Sequence, residues 1–511
     1  MAQEDDLRDR LEARLTARWV GCSFESYHRN ATKGALSRWR PGLGYYDALY
    51  EGDHELGFAT AAYWEAFGPY LAATADNFMP LVVDAAVERL RVLGFRWGKA
   101  TGADDATNEI WQANDMDLGS DQLHREAGKL GFAYWMVDRP PARGDAPLIT
   151  PEQPNQVIVQ CSAANPRVRE AAFKMWAEPD GFVHCNLYTR DKVFKWRRPA
   201  AGSVELPYGV KADTWVLDAG DSGAHATPGY VPVVPVPNTP RLGGQGISDL
   251  KDVAGDQTNI NKLLADMLLT SEYMAFPQRV LLGIEEMVGP DGKTPLTAAE
   301  AQLAVSRSRL LRLPAGEQGA EPKIDQWDAV DLENYVKARN HLLDGMFSKG
   351  RLPINYNARG QLANISADAL RAAEKNLYSR CEMKLPGFDT GHEDTMRLAH
   401  RAMGNREQAT AVTAEVLWRP LEARTEAELV DAATKKQAMG IPLDIILEDL
   451  GYSPQKIERI QALRMADDAF GGPEADLAAA ASRRVEADAQ AQAIASQVAA
   501  ATRAAGTQAT T

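Results

Sequence analysis

The chain has 511 residues, and 56 Lys and Arg against 70 Asp and Glu give a formal net charge of −14. With 45% apolar and 25% charged residues it has ordinary globular usage, and its length suits about three modules. The acidic balance excludes a broad, tight grip on nucleic acid, which needs many cations on phosphates; any DNA contact is expected to be local or weak.

Cys22, Cys161, Cys185 and Cys381 form no CxxC pair, and their wide spacing suits thiols in a reducing compartment better than a disulfide frame. Residues 1–15 carry charges at helical spacing and no apolar core, so they do not read as a secretory signal. No apolar run approaches the ~20 residues of a membrane helix. A soluble protein folded in a cytoplasm is the expectation.

Residues 1–150 read as mainly helical. Leu81, Val83, Val87, Leu90 and Leu93 share one stripe, predicting an amphipathic helix from Pro80 to Leu93 closed by Gly94. A second helix is predicted over about 120–129, with Gly131 marking the change to a short buried strand at Phe132–Val137. From 155 to 240 the period becomes two, and residues 155–160, 171–176, 184–189 and 192–196 read as strands. Residues 231–238 hold too many prolines for a central strand and predict an extended, edge-like connector.

At Leu250 the pattern turns helical again. Leu250, Val253, Gln257, Ile260, Leu264, Met267, Ser271 and Met274 alternate spacings of three and four, predicting one long helix with a narrow seam. Asp252, Asp256, Asn259, Lys262 and Asp266 fall on its other face. Residues 277–327 suggest short elements, and a further helix is predicted from about Asp328 to Ser348.

The stretch 349–366 is rich in Gly, Pro and Asn and predicts a loop. Between Gly345 and Ser366 the charged residues are Lys349, Arg351 and Arg359, with no Asp or Glu. Such a loop suits light contact with a polyanion, or an ordinary surface. Ser366 is a candidate N-cap for a long helix expected to bend or break at Pro386-Gly387. Three short helices follow, opened by a capping box at Thr425–Glu428 and by Ser453-Pro454, and closed by Gly440 and Gly451. Over 467–511, 17 of 45 residues are Ala, leaving too few large apolar groups to anchor a fold.

Enzyme signatures fail one by one. Gly292-Lys293-Thr294 imitates the end of a phosphate loop, but Met287 stands where the first glycine is required. Gly244-Gln-Gly246 precedes a helix, but Asp249 replaces the third glycine of a dinucleotide fingerprint. There is no HExxH, and His184-Cys185 has no partner pair at metal spacing. His392 and His400 are expected at a surface or a cap, and no Gly-x-Ser-x-Gly elbow occurs. No catalytic residue, cofactor or metal is expected.

A series of motifs remains. Leu43–Leu56 reads LGYYDALYEGDHEL, with a Tyr pair, Gly, His and Leu in order, and Asn77–Asp84 with Glu88–Phe95 reads NFMPLVVD and ERLRVLGF. Trp111–Asp115, Gly131–Tyr134, Val231–Asn238, Gly246–Leu250 and Ala275–Arg279 follow in order. Ser366–Arg380 and Trp418-Arg-Pro420, Lys435, Gly440-Ile-Pro442 and Leu450-Gly451 close the series. About ten such motifs over some 420 residues resemble the portal proteins of tailed bacteriophages, of the siphophage type found in phages of actinobacteria.

The resemblance implies an α+β portal fold assembled as a ring, usually of twelve subunits, at one capsid vertex. Residues 1–246 would form a mixed wing, 247–275 and 328–348 two stem helices, and 276–327 a small α/β clip. Residues 349–365 would be a tunnel loop, 366–420 a long kinked wing helix with a return strand, 421–466 a helical crown, and 467–511 a tail. It implies that Lys349, Arg351, Asn355, Tyr356, Asn357 and Arg359 approach DNA. Asp252, Asp256, Lys262 and Asp266 would face the channel, and Arg307, Arg309 and Arg312 would supply positive charge at the clip. An acidic wall with few cations would let phosphates pass without sticking. The implied partners are further copies of the chain, double-stranded DNA, major capsid and scaffolding protein at the wing, and the terminase large subunit and a head-completion adaptor at the clip. No membrane is implied. The expected location is the virion, after assembly in host cytoplasm, with ATP hydrolysis left to the terminase. The competing readings are another DNA-contacting structural protein, an unrecognised hydrolase, or a soluble DNA-binding regulator.

Overall fold

The computed structural model describes residues 2–20, 42–54, 65, 68, 73–98, 100, 102–139, 145–199, 215–218, 220, 222–225, 227–242, 246–275, 279–282, 310–313, 323–326, 331–353, 356, 367–422 and 426–469. Residues 1–99 and 104–416 form one compact unit, and residues 100–103 and 417–511 a second.

The first unit opens with α1 (Ala2–Val20), α2 (Leu43–Glu51) and α3 (Met79–Val87), followed by β1 (Val92–Trp97). The apolar stripe predicted to run to Leu93 is thus split. Leu90 is still fully buried, but Val92, Phe95 and Trp97 take the extended form that β-branched and aromatic residues favour, and Gly94 lies inside a strand rather than at a helix end. Next come α4 (Asp105–Ala113), α5 (Met116–Leu130), β2 (Phe132–Asp138) and β3 (Leu148–Glu152).

The period-two region forms an antiparallel meander: β4 (Val157–Cys161), β5 (Arg169–Ala177), β6 (Phe182–Tyr188) and β7 (Lys192–Pro199), flanked by β8 (Val216–Leu217) and β9 (Gly223–Ala224). Alternation assigns its two faces different partners. Phe173, Met175, Cys185, Leu187 and Trp196 pack with Leu11 and Leu15 of α1. Ala172, Tyr188 and Val193 pack on the other side with Tyr134, Val157, Val231 and Val233. Burying each of the larger side chains is worth about 1.5–3 kcal/mol, enough to hold a helix of so polar a sequence as α1 against the sheet. β10 (Val233–Pro237) is an edge strand beside β2, as its prolines predict, with Pro235 opposite Tyr134.

The long helix α6 (Ala254–Ala275) begins four residues later than its heptad-like pattern suggests. Residues 249–253 are turns because Asp249 is drawn into a buried ion cluster and the Ser248 hydroxyl accepts from the Leu250 amide. The strands β11 (Arg279–Leu282), β12 (Leu310–Leu313) and β13 (Lys323–Gln326) form a small sheet in the order β12-β11-β13, with one parallel and one antiparallel pair. α7 (Glu333–Lys349) then packs beside α6.

α8 (Ala367–Met403) is continuous through Pro386, so of the expected bend or break there is no break. Its backbone lies against β10 there: a Cβ on Gly387 would come within 2.2 Å of the Pro237 carbonyl oxygen. Packing on β10 holds the helix together where proline removes one hydrogen bond. His392 and His400 are also corrected, from surface or cap to fully buried. His392 lies 2.9 Å from His124, Nε2 to Nε2, and its Nδ1 accepts from the Trp135 indole at 3.3 Å. Burial drives the His392 imidazole down to about 3 and that of His124 well below its ordinary value, so both are neutral. α9 (Arg406–Thr410) leads to β14 (Ala414–Trp418), which pairs with β1.

The second unit contains α10 (Glu426–Ala438), α11 (Leu443–Asp449) and α12 (Pro454–Ala469), with Ile446 and Leu447 buried at its centre. No helix among the described residues is long and apolar enough to cross a membrane.

Candidate nucleic-acid interface

α6 and α7 pack against each other, and Ile260 and Ala265 of α6 and Leu343, Met346 and Phe347 of α7 are buried. The seam is not wholly apolar. Gln257 is fully buried, accepting from the Phe78 amide at 3.1 Å and donating to the Asp76 carbonyl at 2.6 Å. Asn261 Oδ1 accepts from the Asp76 amide at 3.1 Å, and Arg339 of α7 pairs with the Asp76 carboxylate. Both helices are therefore fixed to one short segment ahead of α3.

The charges expected on the outer face of α6 largely neutralise one another. Lys349 lies 2.8 Å from Asp256, joining the end of α7 to the start of α6. Lys262 and Asp266 form an i,i+4 pair one turn apart. Asp252 lies exposed in the turn before α6. The Tyr46 hydroxyl is pushed up to about 12 by burial, with Tyr45 and Asp252 adding to the effect.

α7 ends in a Schellman motif: Leu352 N–H donates to Phe347 O at 2.9 Å and Arg351 N–H to Ser348 O at 3.2 Å. Arg351 occupies the left-handed slot at φ +53°, where glycine is the usual residue. Its side chain is exposed, with Nη1 3.2 Å from Met383 Sδ. Tyr356 is turned the other way, its hydroxyl accepting from Arg89 at 3.1 Å. Arg312 falls in β12. Asn355, Asn357, Arg359, Arg307 and Arg309 lie outside the described residues.

Next to the Arg351 turn is a polar cluster whose members Asn238, Asp249 and Arg380 fall in three separate sequence motifs that gave no sign of meeting. Arg380 donates to the Gly350 carbonyl at 2.7 Å and lies 3.0 Å from Asp249, and Lys384 lies 2.5 Å from the same carboxylate. Asn238 completes the set, donating to Asp249 and accepting from Lys384. Burial alone would raise the Asp249 carboxyl; the two cations more than offset it and hold it below its ordinary value. The available signals were the i,i+4 placement of Arg380 and Lys384 and the Ser248-Asp249 step before a helix, each common alone.

Among the described residues this region offers paired charges and the exposed Arg351 guanidinium on a hydrogen-bonded turn, with no nucleophile beside a base.

The pattern of the family described as "Phage portal protein, SPP1 Gp6-like" matches residues 74–466. A portal protein of Mycobacterium phage D29 is 32% identical over 405 residues, covering 76% of this chain and 79% of that one. A portal protein of Mycobacterium phage L5 is 29% identical over 408 residues, with the same coverage. A chain from the virion of a native gene transfer agent particle aligns over 82% of this chain and 95% of its own, at 12% identity and a TM-score of 0.40. The motifs strung along the sequence and the match over residues 74–466 agree: the chain belongs to the phage portal protein family.

Proposed function

We propose that the chain is the subunit of a ring at one capsid vertex, through which double-stranded DNA is packaged and ejected. In this reading α6 and α7 form the stem, residues 276–327 the clip on which terminase and a head-completion adaptor dock, and residues 349–365 the loop nearest DNA. Capsid and scaffolding proteins meet the wing, and α10–α12 form the crown. Twelve chains at −14 each make −168, so DNA would pass a wall that repels it on the whole and touches it at few points.

The observation that carries the reading is Arg351. A cation placed where the backbone favours glycine, on a turn braced by Arg380, is a strained residue at an exposed position, and such strain is characteristic of functional sites.

Two measurements test it. Native mass spectrometry of the purified chain should show a ring of about 671 kDa for twelve copies of 55.9 kDa, give or take a subunit. A stable monomer at every concentration would sink the ring. In a phage complementation assay, Arg351→Glu with Arg359→Glu should leave rings intact and reduce packaged DNA. Normal packaging by that double variant would remove these residues from the DNA path.

A further inference from the structure

The tip of the β5–β6 hairpin brings together three ligand-bearing side chains that the portal reading does not use. The register sets His184 opposite Trp176, and Glu178 lies two residues beyond Trp176 on the same face. The turn is fixed by Glu178 N–H donating to Phe182 O at 3.0 Å and by Gly181 at φ +82°. His184 Nε2 lies 3.2 Å from Asp180 Oδ2 and 3.7 Å from Glu178 Oε2, and the three donor atoms are all within 4.8 Å of one another.

We propose that Glu178, Asp180 and His184 form a binding site for a divalent metal ion of the zinc class. Donors held 2.0–2.2 Å from zinc at ordinary angles stand about 3.0–3.5 Å apart, close to the two separations seen from the imidazole. Each carboxylate has its other oxygen fixed by the protein. The Trp176 indole donates to Glu178 Oε1 at 2.8 Å, and the Phe182 amide donates to Asp180 Oδ1 at 2.9 Å. Trp176 also stacks on His184, with ring centroids 5.6 Å apart and planes 21° apart, which orients the imidazole. Supports of this kind aim ligands at a shared point.

Two cations lie nearby. Lys174 is paired with Glu152 at 2.6 Å, and Arg197, opposite His184 in the register, lies over the Phe182 ring at 5.5 Å. The cluster still carries two carboxylates for one metal. One imidazole nitrogen with two carboxylates favours Zn²⁺, Co²⁺ or Mn²⁺, whereas Mg²⁺ and Ca²⁺ prefer all-oxygen shells. Three protein ligands on an exposed tip leave coordination positions for water or for a ligand from another chain. The spacing of four and six residues along the chain hid the set, because only the hairpin register brings it together.

Calorimetric titration of chelator-stripped full-length protein with ZnCl₂ and, in parallel, MgCl₂ tests the site. One zinc per chain is expected, with binding weakened at least tenfold in His184→Gln and in Asp180→Asn and no matching Mg²⁺ event. Trp176→Phe, which keeps all three ligands, should weaken zinc several-fold while leaving the stoichiometry at one. Cobalt loading should give a visible spectrum without a thiolate charge-transfer band, which separates this site from cysteine binding. Circular dichroism and melting curves check that each variant is folded. Equal zinc affinity in the parent and both ligand variants, absence of a one-to-one event, or magnesium binding as tight as zinc would each overturn the proposal.

Discussion

Arg380 of α8 donates one arm of its guanidinium to the carbonyl of Gly350, at 2.7 Å, and lies 3.0 Å from the Asp249 carboxylate through the other. One side chain thus fixes both the end of α7 and the approach to α6. The two helices are tied to each other through a helix that lies outside their own pair.

Removing the anion from this cluster should be severe. Asp249→Asn leaves Lys384 and Arg380 buried without a full counter-charge, and a loss of about 3–5 kcal/mol is expected in urea unfolding. Asp249→Leu combined with Lys384→Met should cost clearly less than the sum of the single changes, because both charges leave together. The Asp249 carboxyl titrates below its ordinary value in the fold, so its contribution is present at neutral pH and is lost as pH falls through that lowered value.

Arg351→Gly separates backbone from charge. Glycine relieves the left-handed position, so stability should stay level or rise by up to about 1 kcal/mol, while DNA packaging in complementation falls. A destabilised Arg351→Gly ring with normal packaging would be the opposite of this expectation.

The buried imidazoles give the unit an acid-sensitive core. His392 titrates at about 3 in the fold and near 6.5 when unfolded, so the unfolded chain binds more protons between these values. Stability from this group is complete above pH 6.5 and declines steadily as pH falls toward 3. Denaturation midpoints of the parent should drop between pH 7 and 4.5. In His392→Leu the drop should be smaller, on a baseline about 1–3 kcal/mol lower because the Trp135 indole loses its acceptor.

Two glycines in long helices should respond in opposite directions to alanine. Gly387→Ala forces a methyl into the Pro237 carbonyl and should cost at least about 2 kcal/mol. Gly345→Ala, inside α7, meets nothing within 4 Å and should add about 0.5–1 kcal/mol. Paired thermal melts read both.

The clearest sequence signals were local ones. The meander from Val157 to Pro199 was legible because alternation there is set by one sheet with two different buried faces. The edge position of β10 followed from its prolines, and α6 and α7 from their seams. Pro386 left a bend and a break equally open, because the strand that supports the helix there lies about 150 residues earlier. Gln257 was counted with an apolar seam, although its amide binds backbone 179 and 181 residues away, a relationship no periodicity encodes. His392 and His400 were misread for the same reason: their neighbours come from α5, β2 and α4.

Gly131 and Gly246 pass so close together that they pin the connection between β10 and α6. Asn238 N–H donates to Gly131 O and Ile247 N–H donates to Asn238 O, each at 2.8 Å, so the chain leaves β10 and returns to start α6 at one spot. A Cβ on Gly246 would stand 1.7 Å from the Gly131 oxygen, which makes that spot intolerant of any side chain. Because the two sides are already held together there, lengthening the connection between residues 242 and 246 should cost only on the order of 0.6 kcal/mol for each doubling of its length. A peptide tag inserted there is expected to leave the anchored start of α6 in place, which melting curves of the tagged chain would check.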